Sequence, residues 1–382
     1  MPISSHRLAV FLASVIFLIA IELMGSPVAS AGSSARVCGP ASADSARCHA
    51  QVLADRIGNL ASTSPTGLSP ATIKSAYGFT TSSTAGAGQT IAIVDAYDDP
   101  TAESDLGVFS AQFGLPACTT VNGCFTKVNQ TGGKKYPRAD AGWALEISLD
   151  IQWAHAIAPG AKILLVEASS NSFANLLAAE DYAKTHALYV SNSWGGSESS
   201  GESQYDLHFV QSGVSFFVSS GDSGLPAQYP SSSPNVISVG GTTLHFDSNG
   251  TFTSETGWSS GGGGCSAYEA ATTVQSSFSQ YPQANCAGAR ATPDVSLDAD
   301  PASGVSVYDS TRYQGQKGWW TVGGTSASSP MWAARSAVAG ALVNDAYVYG
   351  TTINYRDIMD GNNGAPCLVG YDLCTGRGSW TQ

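Results

Sequence analysis

Short apolar runs alternate with longer stretches of mixed polarity between residues 90 and 239. The apolar runs predict buried strands, because they are brief and rich in Val, Ile, Leu and Phe. Apolar strands that alternate with helices indicate the α/β class, with a mostly parallel central sheet and helices on both faces. The predicted strands lie at 90–95, 162–167, 188–193, 214–219 and 236–239, and the predicted helices at 105–113, 141–157, 173–186 and 202–211.

Parallel sheets place their functional sites at the carboxyl ends of their strands. Four residues lie at or just beyond such ends of the predicted strands: Asp95, Ser193, Trp194 and Asp222.

The pattern is weaker towards both ends of the chain. Residues 32–67 are small and polar, and they predict an N-terminal extension, a possible short prosegment, that wraps a main domain at 68–382. We expect one helix within this extension, over 47–60. Towards the other end, a β-like run at 318–322 leads through Gly-Gly-Thr-Ser into an Ala-rich run at 331–344, which predicts a helix.

The first residues have the order of a targeting segment. A basic pair, His6 and Arg7, precedes an apolar run that ends at Glu22, and small residues follow at 29–31. This order predicts a secretory signal peptide over 1–31 and therefore a secreted, extracellular protein. The alternative of a membrane anchor is disfavoured, because the run is too short to span a bilayer comfortably. We expect no membrane contact after signal cleavage.

The small number of charged residues and the negative net charge limit the kinds of molecule that this protein is expected to bind. Charged residues make up 12% of the 382 residues, and the net charge is −12. Nucleic-acid binding needs clustered Lys and Arg, so a nucleic-acid partner is not expected. We expect a monomer.

The eight cysteines of a secreted chain imply disulfides. They lie in close pairs along the sequence, and short loops close at little entropic cost. No pair has zinc-finger spacing with matching histidines. Pairing of neighbours predicts four local bridges: Cys38–Cys48, Cys118–Cys124, Cys265–Cys286 and Cys367–Cys374.

Ser326 is a candidate nucleophile. It stands on a glycine-bracketed turn at the predicted start of a helix, where the helix dipole favours oxyanions. Thr and Ser are also the preferred helix-capping residues, so this stretch alone leaves a cap and a nucleophile equally open.

Glu146 and Asp150 stand four residues apart and share one face of a predicted helix. Leu145, Ile147 and Leu149 surround them, which indicates a mostly buried helix. Buried neighbouring carboxyls split their titrations, so that one of them stays protonated well above its usual pKa. The alternative is a solvated acidic face of a surface helix.

No histidine is nominated as a base by its surroundings. His155 lies nine residues after Glu146, which puts it on the opposite side of the helix. The run from Ser220 to Gly224 mimics the nucleophile motif of trypsin-like enzymes, but the alternation of strands and helices argues against Ser223 as the nucleophile.

Several short motifs follow one another in the order of one peptidase family. Each is weak, but the ordered set resembles the sedolisin (serine-carboxyl peptidase) family over about residues 68–380, and it implies a subtilisin-like fold. The motifs are Glu146-x-x-x-Asp150 with Ala158-Pro159-Gly160-Ala161, Ser193-Trp194-Gly195, Ser220 to Gly224, and Gly323 to Ala327 with Pro330.

The resemblance implies roles for particular side chains. Ser326 would be the nucleophile, and Glu146 the general base where a subtilisin would have His. Asp150 would support Glu146, and Asp222 would donate a hydrogen bond to the oxyanion while protonated. An ionised carboxylate base and a protonated acid together favour acidic pH. The resemblance also assigns two residues to a supporting hydrogen-bond network, Asp95 and Trp194.

A second match lies near the C-terminus and implies a Ca²⁺ site. Asp357 and Asp372 would supply side-chain oxygens, and Ile358, Leu368 and Gly370 would supply backbone carbonyls. Calcium takes six or more hard oxygen ligands, and such loops provide them. The family has a glycine where Leu368 stands, and a plain turn cluster is the alternative.

These patterns lead us to expect a secreted serine-carboxyl endopeptidase that acts on protein or peptide substrates. A tripeptidyl exopeptidase of the same fold, a catalytically silent binding module and a His-dependent subtilisin remain open. Sedolisins usually carry a long prosegment, and in this chain only residues 32–67 lie between the predicted signal peptide and the main domain.

Overall fold

The computed structural model describes residues 1–2, 33–55 and 58–382. The signal peptide predicted over 1–31 lies almost entirely outside the described residues and stays a prediction. The described residues from 33 onward belong to one compact unit. Within the described part of the chain, no helix combines the length and apolar character needed to cross a membrane.

The described residues form short helices and many strands. The α-helices are α1 (Pro70–Tyr77), α2 (Ala102–Phe113), α3 (Ala141–Ile157), α4 (Phe173–Ala183), α5 (Thr273–Ser277), α6 (Thr325–Ala339) and α7 (Asp345–Val348), and 3-10 helices lie at Glu202–Phe209, Tyr281–Ala284 and Pro301–Ser303. The strands are β1 (Ser34–Arg36), β2 (Arg47–Cys48), β3 (Gln51–Leu53), β4 (Ala61–Ser62), β5 (Thr90–Ala96), β6 (Phe125–Asn129), β7 (Lys162–Ala168), β8 (Tyr189–Asn192), β9 (Trp194–Ser197), β10 (Ser215–Ser219), β11 (Gln228–Tyr229), β12 (Ile237–Phe246), β13 (Phe252–Gly257), β14 (Gly264–Ala270), β15 (Ala289–Thr292), β16 (Val295–Asp298), β17 (Val305–Tyr313), β18 (Gln316–Gly323), β19 (Asn354–Arg356) and β20 (Ser379–Thr381).

A large sheet forms the centre of the molecule. Its strand order is β19-β20-β16-β12-β10-β8-β5-β7-β6, with β13 paired to β12. All neighbours from β20 to β6 along this order run parallel. Strand β5 is buried from Ile91 to Ala96, so both of its faces are covered. The predicted α/β class with a mostly parallel sheet is confirmed.

The predicted buried strands are all present, and their limits shift by only a few residues except at β12, which continues to Phe246. The helix predicted over 141–157 is found with those limits. The predicted helix over 202–211 is a 3-10 helix, Glu202–Phe209, instead. The helix predicted over 331–344 begins earlier and ends earlier, at Thr325–Ala339.

The helix expected over 47–60 is wrong. The described residues of this range, 47–55 and 58–60, contain no helix, and β2 and β3 lie there and pair with β9 and β18 of the main domain. Main-chain hydrogen bonds to these strands replace the intrahelical bonds, and local composition does not reveal such a partner. The extension therefore adds strands to the main domain.

Helix α3 carries both carboxyls of the Glu-x-x-x-Asp motif. Asp140 caps its first turn by accepting hydrogen bonds from the N–H groups of Gly142 and Trp143. Every residue from Gly142 to Ile157 is buried. A helix enclosed on all sides in this way lies in a core, and the solvated acidic face is excluded.

All four predicted disulfides are confirmed. The bonded pairs are Cys38–Cys48, Cys118–Cys124, Cys265–Cys286 and Cys367–Cys374.

We predict that Leu149→Ala destabilises the protein by about 2–5 kcal/mol, because Leu149 is fully buried in α3 and its loss leaves a cavity. The matched control is Leu207→Ala, since Leu207 is 75% exposed, and it should change stability by less than about 0.5 kcal/mol. Denaturant unfolding of both variants measures the difference. Equal losses would show that α3 is not the packed helix described above.

Candidate active site

Three neighbouring parallel strands end at one edge of the central sheet. Strand β5 holds Asp95 next to its last residue, β8 is followed by Ser193 and Trp194, and β10 leads to Asp222. Because β8 lies between β5 and β10, these residues are brought to the same edge. The sequence pattern predicted this placement.

Ser326 lies in the first turn of α6 and is fully buried. The turn before it needs glycine, because Gly324 has a φ of 99° and a side chain there would collide with the His49 carbonyl oxygen. Pro330 lies inside the same helix and has no N–H to offer the Ser326 carbonyl. The Ser193 hydroxyl donates to that carbonyl instead, at 3.4 Å.

Three buried carboxyls follow one another away from Ser326. Glu146 and Asp150 on α3 and Asp95 on β5 all have no exposed surface. Burial raises the pKa of Glu146, and repulsion from Asp150 raises it further, while interactions with the Ser326 hydroxyl and the Ala50 N–H oppose the rise. Burial and then Asp95 raise the pKa of Asp150. Burial and mutual repulsion therefore favour protonation within this group of carboxyls.

Asp222 lies beside the turn that precedes Ser326. Its Oδ1 accepts hydrogen bonds from the Thr325 N–H at 2.9 Å and the Thr325 hydroxyl at 3.0 Å. The Gln51 amide donates to Oδ2 at 3.1 Å. Burial raises the pKa of Asp222 to about 6, against the opposing effect of these hydrogen bonds. In mildly acidic solution this carboxyl is therefore protonated and can donate.

Trp194 connects strand β9 to the central sheet. Its indole N–H donates to the Val94 carbonyl at 2.9 Å, next to Asp95, and its ring meets Phe173 edge to face. Ser223, by contrast, is exposed, and its hydroxyl accepts a hydrogen bond from Arg36. Ser223 therefore lacks the burial that Ser326 has.

The N-terminal extension crosses the site, which the sequence did not predict. The Ala50 N–H donates to Glu146 Oε2 at 2.8 Å, and the His49 N–H donates to the Ser193 carbonyl at 3.1 Å. Arg36 donates to the Asp222 carbonyl at 2.7 Å. No local motif marks these residues, because their positions depend on strand pairing across long sequence separations.

Two buried histidines lie near the site elements, and each has another partner. His155 Nε2 bonds the Pro116 carbonyl at 2.9 Å, on the side of α3 away from Glu146. His49 Nδ1 shares a hydrogen bond of 2.7 Å with the Ser219 hydroxyl. Burial and the charge of Arg36 lower the pKa of His49 to about 3, so its ring is neutral.

In the C-terminal loop, the two carboxylates predicted to bind Ca²⁺ accept hydrogen bonds from the same stretch of backbone, residues 368–370. Asp357 accepts from the Gly370 N–H at 2.9 Å, and Asp372 accepts from the Leu368 N–H at 2.7 Å. Ile358, the residue after Asp357, is buried. Two carboxylates with nearby backbone carbonyls are the oxygen donors that Ca²⁺ takes, so the donor types fit this ion.

One further cluster of possible metal ligands occurs in the described residues, and it consists of Cys118, Cys124 and His155. The two cysteines are bonded to each other. They offer no thiolate, and this cluster is a disulfide beside a buried histidine.

Comparison with known proteins adds an independent line of observation. The subtilase family model matches residues 139–358, a range that includes Glu146, Asp150, Asp222 and Ser326. Kumamolisin of Bacillus sp. (strain MN-32) is 31% identical over 363 residues, covering 83% of this chain and 63% of kumamolisin. Sedolisin of Pseudomonas sp. (strain 101) is 34% identical over 206 residues, covering 44% of this chain and 33% of sedolisin. The chain thus spans less than two thirds of these relatives.

The fold has a matching solved structure. Pseudomonas sedolisin, a serine-carboxyl proteinase complexed with two molecules of pseudo-iodotyrostatin, superposes with a TM-score of 0.70 and 29% identity. The match covers 83% of this chain and 96% of that one. A psychrophilic protease with 18% identity and a TM-score of 0.55 shares the fold alone. The chain therefore belongs to the subtilase family, and it is a member of the sedolisins with a subtilisin-like fold.

Proposed function

We propose that this protein is a secreted serine-carboxyl endopeptidase that hydrolyses protein or peptide substrates in acid. The observation that carries the proposal is the hydrogen bond from the Ala50 N–H to Glu146, at a point where a peptide chain passes beside Ser326. A base that meets both a serine hydroxyl and a peptide nitrogen can take a proton from the first and give it to the second.

In the proposed reaction Ser326 Oγ attacks the carbonyl carbon of the substrate, and Glu146 accepts the hydroxyl proton. The oxyanion forms beside Gly324, where protonated Asp222 donates a hydrogen bond to it. Glu146 then gives its proton to the leaving nitrogen. Asp150 and Asp95 keep the base in place, and water hydrolyses the acyl-enzyme with Glu146 again as the base.

Internal cleavage is favoured over removal of tripeptides. The extension runs through the cleft on both sides of Ala50, with Arg47 and Cys48 paired to β9 and with Gln51 and Val52 paired to β18. Further upstream, the Ala46 N–H still bonds the main domain, at the Asn171 carbonyl. A cleft that holds a fourth residue on the upstream side accepts chains without a free amino terminus nearby.

We predict that Ser326→Ala and Glu146→Gln each abolish cleavage of an internally quenched, N-terminally acetylated peptide, because one loses the nucleophile and the other the base. A pH-rate profile should show activity in acid that falls as pH rises through about 6, where Asp222 loses its proton. Activity near neutral pH in Glu146→Gln would point to a histidine base. Cleavage limited to peptides with a free N-terminus would select the exopeptidase.

Asp222 allows a matched pair of variants for the same assay. Asp222→Ala removes the donor and should lower kcat by about 10²–10³. Asp222→Asn keeps an N–H donor that does not titrate, so it should retain more activity and lose the decline above pH 6. An unchanged decline in Asp222→Asn would assign the pH dependence to another group.

We predict that stability falls as pH rises from 6.5 to 8. Burial raises the pKa of Glu180 to about 8 and that of Asp309 to about 8. Because the pKa of these carboxyls is higher in the folded protein, the unfolded chain loses their protons at a lower pH than the folded protein does. The folded state is therefore most stable in acid, and stability is lost as the pH rises towards the folded-state pKa. Each such group lowers stability by at most about 1.4 kcal/mol per pH unit below its folded-state pKa, and the loss levels off above that pKa.

Thermal unfolding across this range tests the sign. Glu180→Gln should flatten the dependence, whereas Asp360→Asn, at an exposed position, should leave it unchanged. A melting temperature that rises towards pH 8 would contradict the assignment.

We also propose that Ca²⁺ binds the C-terminal loop, held by the side chains of Asp357 and Asp372 and by the carbonyls of Ile358, Leu368 and Gly370. The convergence of both carboxylates on residues 368–370 supports it. The Cys367–Cys374 disulfide limits the freedom of this loop before any ion binds. The ion would stabilise the fold and take no part in the chemistry at Ser326.

We predict that added Ca²⁺ raises the melting temperature and that EDTA lowers it, because a ligand of the native state alone stabilises it by about 2.7 kcal/mol at 100 times its Kd. Asp357→Asn should remove the shift. Asp360→Asn, an exposed carboxylate three residues on, is the control and should retain it. A shift that persists in Asp357→Asn would place the ion elsewhere.

A further inference from the structure

We propose that Glu167 is a further positioning residue of the active site, which holds a proton against Asp95 and thereby extends the row of buried carboxyls behind Ser326. This carboxyl row consists of Glu146, Asp150, Asp95 and Glu167. The inference rests on the proposed peptidase function, because the row supports the base of that reaction.

Asp95 and Glu167 occupy directly opposite positions on neighbouring parallel strands. Strand β5 pairs with β7 along its whole length, and Asp95 is the register partner of Glu167. Side chains alternate between the two faces of a sheet, and partners in a parallel pair project on the same face. Asp95 acts on Asp150 of α3 from that face. Glu167 therefore lies on the α3 side of the sheet, beside Asp95.

Asp95 lacks a hydrogen-bond donor of the usual kind. Its side chain is fully buried, and within the described part of the chain no N–H or O–H donates to either Oδ1 or Oδ2. The Trp194 indole N–H donates to the carbonyl of the preceding residue, Val94, instead. Because buried polar atoms are nearly always hydrogen-bonded, we infer that Asp95 shares a proton with another carboxyl.

The two oxygens of Glu167 differ in their surroundings. Oε1 accepts the Asp99 N–H at 3.0 Å and lies 3.5 Å from the Lys127 ammonium. Oε2 is buried and has no donor among the residues that the structure describes. A proton is best placed on the oxygen that accepts nothing, since the protonated oxygen then becomes a donor itself.

The surroundings favour the neutral form of Glu167. Burial raises its pKa to about 9, although the charge of Lys127 and the hydrogen bond from the Asp99 N–H oppose the rise. Burial, Glu146 and then Glu167 raise the pKa of Asp95. In acid Glu167 therefore has a proton to donate, and it places no second negative charge beside Asp95.

The elements packed against β7 bring several titratable groups towards it. They are Asp95 on β5, Asp98 and Asp99 after β5, Lys127 on β6, Asp150 on α3 and Glu180 on α4. Glu180 interacts with Asn192 instead. Asp98 also interacts with Glu167, but the Lys127 ammonium binds it at 2.5 Å. Asp98 thus has a cation as its partner, whereas Asp95 has no donor unless Glu167 supplies one.

A donor behind Asp95 fixes the far end of the carboxyl row. Asp95 acts on Asp150, and Asp150 interacts with Glu146, so each carboxyl is oriented by the next one. With Glu167 in place, the row ends on a group that is anchored to backbone rather than on an unpaired acid. Glu146 is thereby held where it meets the Ser326 hydroxyl. Misplacement of such a group by about 1 Å costs about 10²-fold in rate.

Glu167→Leu and Glu167→Gln are a matched pair that tests this role. Leu is similar in size but has no donor, so kcat for the acetylated peptide should fall by about 10–100-fold while KM stays nearly unchanged. Gln places a neutral N–H donor at the same position and should restore most of the wild-type kcat. Equal losses in the two variants, or no loss in Glu167→Leu, would overturn the inference.

Thermal unfolding at the assay pH shows that both variants are folded when their rates are compared. Neither change leaves an unpaired charge in acid, and Lys127 keeps Asp98 as its partner. If Glu167→Leu does not fold, Glu167→Gln still decides the question in acid. A loss of kcat in folded Glu167→Gln as large as about tenfold would contradict a neutral donor at this position.

A pH-rate profile in the Asp222→Asn background gives a second test that needs only the Gln variant. The decline near pH 6 is absent there, so a later loss of the Glu167 proton becomes visible. We expect kcat of folded Asp222→Asn to fall towards pH 9 and kcat of Asp222→Asn/Glu167→Gln to stay level. Superimposable profiles would show that this proton is not linked to the site.

Asp98→Asn distinguishes the two carboxyls that can receive the proton of Glu167. If the proton is donated to Asp95, this variant should change kcat little, because Asp98 is not part of the carboxyl row. A loss as large as that of Glu167→Leu would assign the proton to Asp98 and overturn the inference.

The Ser326→Ala and Glu146→Gln variants separate this inference from the proposed function. If both abolish cleavage of the acetylated peptide while Glu167→Leu has wild-type kcat, the role of Glu167 is overturned and the peptidase function stands. A folded wild type that does not cleave the peptide would overturn both.

Discussion

Exclusion of water from a group of carboxyls is the condition on which the proposed site depends. Glu146, Asp150, Asp95 and Asp222 are each at most 1% exposed, although ionised carboxylates are costly to bury. Protonation relieves this cost, and the raised pKa values follow directly from it. The same burial that keeps the oxyanion donor Asp222 protonated in acid therefore also makes the folded state more stable in acid than at higher pH.

The enclosed position of α3 is what makes this burial possible. The helix lies in the interior along nearly its whole length, and it contacts both α6, which carries Ser326, and β17. Side chains four residues apart on a helix point in one direction. Glu146 therefore interacts with Ser326, and Asp150 lies next to Glu146. On a surface helix the two carboxyls would be exposed to solvent, and their pKa values would not be raised by burial.

The N-terminal extension completes the enclosure. Its strands join β9 on one side of the site and β18 on the other, and its backbone supplies the donor that meets Glu146. A segment too short to form a core of its own is stable in this position because it borrows hydrogen-bond partners from the main domain. The extension is thus part of the site as described, and the accessibility of the site depends on where it lies.

The amino-acid sequence alone was sufficient to predict the α/β class, the helix that carries Glu146 and Asp150, the four disulfides and the alignment of Asp95, Ser193 and Asp222 with strand ends. These features depend on the spacing of apolar residues and on contacts between residues that are close in sequence. Both can be read from the local sequence. The path of residues 34–53 emerged only in three dimensions, and the helix expected there was wrong. Its extended form is held by pairing with strands more than 140 residues away in β9 and more than 260 away in β18 (Cys48 with Trp194, Val52 with Val322). Nothing in the local pattern of the extension predicts such partners, because a strand is stabilised mainly by contacts with the strands beside it.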